Sequence, residues 1–86
     1  MILHITDVVY LDDYRIKLVF NDGLSGVADL RNALWGEMFE PLLDPNNFSQ
    51  IRLNPELGTV SWPNGADLAP EFLYTLIQPK NEPNEN

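Results

Sequence analysis

The sequence predicts a small α+β domain: an antiparallel sheet of about five strands built from two hairpins, with a short mid-chain helix and a C-terminal helix packed on one face. Three observations predict it. Residues 14–20 alternate, with Tyr14, Ile16, Leu18 and Phe20 on one side and Arg15, Lys17 and Val19 on the other, the period of a half-buried strand. Ile51-Arg52-Leu53-Asn54 and Thr59-Val60-Ser61-Trp62 flank Pro55-Glu56-Leu57-Gly58, a loop that opens on proline and closes on glycine. Phe72, Leu73, Leu76 and Ile77 follow Pro70 at helical spacing, as a stripe that can pack on a sheet.

The elements follow in chain order. Leu3 to Leu11 is an apolar segment that can pair with the alternating strand through an Asp12-Asp13 turn. Its alternation falters at Asp7, which predicts a bulge. At Asn21-Asp22-Gly23 the glycine can take the left-handed conformation of a three-residue hairpin loop. That loop places Phe20 opposite Leu24, and Leu18, Ile16 and Tyr14 opposite Gly26, Ala28 and Leu30. A two-residue Asp22-Gly23 loop would slip the register and turn Val27 inward; the bulged version is preferred. Asp29 can cap a short helix over Leu30 to Trp35, closed by Gly36. Pro41 limits Glu37–Leu43 to a turn or two, and Asp44-Pro45-Asn46-Asn47 reads as a single capped helical turn. In the second hairpin, pairing Asn54 with Thr59 sets Leu53 opposite Val60 and Ile51 opposite Trp62, so four apolar side chains share one face. Pro63-Asn64-Gly65 is a tight turn, Asp67 lies where a helix dipole favours an anion, and the last helix runs from Pro70 to about Ile77, ended by Pro79.

A chain of 86 residues holds one modest core, so residues 1–78 read as a single domain and residues 79–86 as a polar tail expected to be disordered. Thirteen acids against five bases give a net charge of −8. That balance argues against a surface for nucleic acid or anionic membrane, both of which need clustered Lys and Arg. With no cysteine, disulfides, thiolate nucleophiles and most structural zinc sites are excluded. The opening run is broken by His4 and closed by Asp7, unlike a secretory signal, and no stretch approaches a membrane span, so a cytoplasmic location is expected.

Few residues suggest chemistry. His4 is the only histidine, and no nucleophile or orienting partner is nominated for it. Asp12-Asp13 reads as a turn, and Glu37 with Glu40 as a solvated face. Asp44-Pro45-Asn46-Asn47 lacks the glycine and the distal glutamate of a calcium loop. No catalytic residue, cofactor or metal site is expected.

Phe20-Asn21-Asp22-Gly23 with Val27-Ala28-Asp29-Leu30, and the long block from Gly58 through Trp62-Pro63-Asn64-Gly65-Ala66-Asp67 to Pro70-Glu71-Phe72-Leu73-Tyr74, resemble the domain of unknown function 2442 family. Leu42, Leu43, Asp44, Pro45 and Phe48 fit the same pattern, and the resemblance covers roughly residues 3–78. It implies a small bacterial α+β domain without assigned activity. In some members a helix-turn-helix domain follows, and some are encoded beside small toxin-like proteins, which implies an antitoxin or partner role. No DNA-binding domain is expected within the 86 residues, and a transcriptional role is expected to be indirect.

Two functions remain. The first is a non-enzymatic interaction module that presents acids (Asp12, Asp13, Glu37, Glu40 and Glu56) to a small basic protein, with Trp35 and Phe39 as apolar anchors. The second is a small-ligand or sensory domain with a pocket near Trp62, Asn64, Asp67, Glu71 and Tyr74. An unpaired edge strand could also support a homodimer. A hydrolase using the same carboxylates is a distant third.

Overall fold

The alternating segment forms β2, Arg15–Phe20, the centre of a three-stranded antiparallel sheet between β1, Ile5–Asp12, and β3, Ser25–Asp29. The computed structural model describes residues 2–77; Pro79 and the tail at residues 79–86 lie outside them. Two 3-10 turns follow, Arg31–Ala33 and Glu40–Leu43, then α1, Pro45–Phe48. A second, two-stranded sheet consists of β4, Arg52–Asn54, and β5, Thr59–Ser61, and the last described element is the helix α2, Pro70–Ile77. The five strands are thus split between two sheets. β1 touches both, because its first residue pairs with Phe20 of β2 and also meets the second hairpin: Ile5 N–H donates to Gly58 C=O at 2.8 Å.

Side-chain alternation sets the core. Ile16, Leu18, Phe20 and Ala28 point inward and are essentially fully buried, while Arg15, Lys17 and Val27 point out. The first hairpin takes the bulged loop: Gly23 has φ +92°, Phe20 N–H donates to Leu24 C=O, and Leu18 and Ile16 face Gly26 and Ala28. The register of β1 shifts between Ile5 and Asp7, as the faltering alternation predicts, and again between Tyr10 and Asp12. Each extra residue absorbs a parity error. Ile5, Val8 and Tyr10 therefore all sit on the core face although Ile5 and Val8 are three apart.

The second hairpin pairs Asn54 with Thr59 and Leu53 with Val60. Its other face is also covered: Thr59 is 4% exposed and its hydroxyl donates to Leu68 C=O at 2.5 Å. Asp44 caps α1 by accepting from Asn46 N–H at 3.0 Å. Phe48, buried at the end of α1, meets Tyr10, Tyr14 and Trp62 in tilted and edge-on ring contacts with centroids 5.5–5.9 Å apart.

Two helical expectations need correction. The helix expected over Leu30 to Trp35 is a single 3-10 turn. Asp29 does accept from Arg31 N–H at 3.0 Å, but Leu30 and Leu34 must both reach the core, and Leu34 leaves helical geometry at ψ 69°. The apolar stripe of α2 is also split. Leu73 and Ile77 are buried against the sheet, whereas Phe72 and Leu76 are 41% and 38% exposed on the flank opposite Tyr74.

Candidate functional site

The exposed flank of α2 forms one wall of an apolar groove of about 560 Å³. Phe72 and Leu76 line it from α2, and Leu68 from the run into that helix. The opposite wall is Trp35 and Phe39, with Asp29, Asn32 and Ala33 from the end of β3 and the turn beyond it. Local sequence explains how the two aromatics are presented. Gly36, at φ +89°, turns the chain sharply after Trp35, and its carbonyl accepts from both Phe39 N–H and Glu40 N–H. Phe39 is braced edge-on against Trp62, with ring centroids 6.3 Å apart. Trp35 is left 75% exposed.

The surroundings are acidic. Asp29, Glu37, Glu40, Asp67 and Glu71 lie in the lining or within two residues of it, against one base, Arg31. The Arg31 guanidinium sits over the Tyr14 ring at 4.9 Å.

Of the residues expected to meet a basic partner, the fold brings Trp35 and Phe39 into the lining of this groove, with Glu37 and Glu40 exposed within two residues of them along the chain. It places the other three elsewhere. Asp12 forms a two-pronged pair with Arg15 at 2.7 and 2.8 Å, a hydrogen bond that holds its carboxyl below the ordinary range. Asp13 makes the β1–β2 turn at φ 45°, and its carbonyl accepts from the Tyr10 hydroxyl. Glu56 belongs to the β4–β5 loop, at the Ile5 end of β1. Eight residues of strand, roughly 23 Å, separate that end from Asp12. These acids do not form one face.

The residues of the expected ligand pocket diverge. Trp62 is 2% exposed and its indole N–H donates to Phe48 C=O at 3.0 Å. Asn64 holds its own turn by accepting from Ala66 N–H, and its amide donates to Met38 C=O at 2.9 Å. Asp67 bridges to Ser61, and Glu71 is exposed in the first turn of α2. Tyr74 packs on Phe20 and donates to Asp22 at 2.5 Å, the main cause of a lowered Asp22 pKa. The motif ties distant segments together: β5 to α1, the 63–65 turn to Met38, and α2 to the first hairpin.

His4 lies at the far end, its Nδ1 within 3.2 Å of Ile2 C=O and 3.1 Å of the Asn21 amide. Among the described residues no three His, Asp or Glu side chains gather as a metal site, and no helix is long and apolar enough to cross a membrane. Sequence reasoning missed Leu68, Phe72 and Leu76 as groove residues. The available signal was the width of the apolar stripe, four large residues on an eight-residue helix that needs only two to hold the sheet.

Fold and groove together define a small α+β domain with a surface apolar cleft. The family model for "Protein of unknown function (DUF2442)" matches residues 5–79, and the chain belongs to that family. No curated protein and no solved structure matches it.

Proposed function

We propose that this domain is a non-enzymatic interaction module that holds a basic protein partner in the groove between α2 and the Trp35–Phe39 turn. The observation that carries the reading is Trp35. An indole 75% exposed, in one groove with Phe72 and Leu76 at 41% and 38%, makes a contiguous apolar surface, with Asp29 in its lining and Glu37, Glu40, Asp67 and Glu71 within two residues of that lining along the chain. Apolar anchors inside a charged rim are the anatomy of a protein contact site, and the rim's sign selects a cationic partner. An antitoxin-like role in the cytoplasm, covering a small basic protein, is the setting this reading implies. A second reading, an apolar small ligand, rests on the groove's volume of about 560 Å³, which falls in the usual range for ligand sites.

Affinity capture on the immobilised domain and on its Trp35→Ala variant, at about 50 and about 500 mM salt, tests the proposal. The expected result is a small basic protein retained by the wild-type domain at low salt, released at high salt and not retained by the variant. A partner that Trp35→Ala retains equally well contradicts the groove; binding of an uncharged aromatic probe, insensitive to salt, favours the small ligand.

A further inference from the structure

Among the described residues, the three-stranded sheet has an unpaired edge beside this groove. In the β2–β3 ladder, Leu30 N–H donates to Tyr14 C=O and Phe20 N–H to Leu24 C=O, so the pairs 14/30 and 20/24 are hydrogen-bonded. Such pairs recur every second residue in an antiparallel ladder, which puts Ile16/Ala28 and Leu18/Gly26 in the same phase. The backbone N–H and C=O groups of Ser25, Val27 and Asp29 must then point away from β2. Among the described residues no strand pairs with that side of β3. Asp29 both ends this edge and lines the groove, so the two surfaces are continuous.

We propose that the partner engages by strand addition: an extended, basic segment with alternating apolar side chains pairs with the β3 edge and runs into the groove. The inference rests on the proposed function and specifies how its partner binds. The edge demands an occupant with extended backbone, since outward N–H and C=O groups spaced two residues apart match only another strand. The groove demands apolar side chains on the core side of that strand. Asp29 in the lining, the four acids that flank the lining residues along the chain and the net charge of −8 call for positive charge, and they disfavour a second copy of this chain.

The register makes the proposal specific. The outward groups belong to residues whose side chains face solvent. In an antiparallel addition the partner's bonding amides therefore belong to its own solvent-facing residues; in a parallel addition they belong to its core-facing ones. The probe is a fluorescein-labelled decapeptide of alternating lysine and valine, followed by anisotropy at about 50 mM salt. N-methylation of one alternate set of amides is expected to weaken binding about tenfold or more, and of the other set about twofold or less, with charge unchanged throughout. Val27→Pro, which removes an N–H that β2 does not use, gives the same loss; the N-methyl series leaves the protein untouched should that variant fold poorly. Equal tolerance of both N-methyl sets, with binding still reduced by Trp35→Ala, overturns strand addition and leaves the groove standing. Binding that Trp35→Ala and both N-methyl sets leave unchanged overturns the groove as well. A dimer of the free domain that Val27→Pro dissociates, seen by sedimentation, would assign the edge to a second copy and overturn the basic segment.

Discussion

Trp62 and Tyr74 belong to the most distinctive stretch of the sequence, and each acts as a tie. The Trp62 indole reaches Phe48 C=O across a buried contact, so Trp62→Phe leaves a hole and removes a donor. Its expected cost is about 2–3 kcal/mol, read by urea unfolding. Phe48 C=O keeps one partner in that variant, Ile51 N–H at 3.1 Å, which limits the loss. Tyr74→Phe deletes the hydroxyl that holds Asp22 ionised. Because the folded-state pKa of Asp22 lies below its ordinary 3.8, the bond stabilises the fold above that pH and fades as pH falls through the lowered value. Thermal melts should show Tyr74→Phe less stable near neutrality, with the gap closing below about pH 4. A gap that persists unchanged into acid would assign the hydroxyl's effect to something other than the carboxylate.

At the scale of elements, the seat of α2 on β3 is the decisive contact. A Cβ added at Gly26 would stand 3.1 Å from Ile77 Cβ and 3.3 Å from Ile77 C=O. Backbone cannot yield as a side-chain tip does, so Gly26→Ala should shift α2 and cost about 1–3 kcal/mol in equilibrium unfolding. Both hairpins, the register of the second, the bulge near Asp7 and the capped turn at Asp44 were legible because turn residues and alternation agree there, whereas two loops fitted Asn21-Asp22-Gly23 and the fold takes the bulged one. The 3-10 turn after β3 was not legible. A capping Asp29 and helix-compatible residues favour a longer helix locally, and the burial of Leu30 and Leu34 overrides them. The exposed flank of α2 was hidden for a related reason. Spacing identifies an apolar stripe but not how much of it a small sheet can cover, and here Leu73 and Ile77 complete the contact.

For the whole molecule, the −8 charge is legible in composition but its distribution is not. Asp12 and Glu56 are far apart in the fold although both looked like parts of one acidic face, while Glu37 and Glu40 gain their place from the Gly36 turn. Trp35 and Phe39 could be nominated from sequence, since bulky residues between two hairpins exceed what a small core absorbs. Their partners across the groove come from α2, some 33 residues later, and only the tertiary fold brings them together. Trp35→Ala should leave stability within about 0.5 kcal/mol of wild type, measured by denaturant midpoint, because the side chain is mostly in water. A large loss of stability would mean that the indole holds the fold rather than a partner.

The two tryptophans differ sharply in environment, 75% exposed against 2%. Trp35 should emit toward the red of the indole range and be quenched readily by a soluble collider, whereas Trp62 should emit toward the blue and be shielded. Occupation of the groove should then shift only the red component, and unfolding only the blue. The chain therefore carries two intrinsic reporters, so binding and folding can be followed separately in one unlabelled sample.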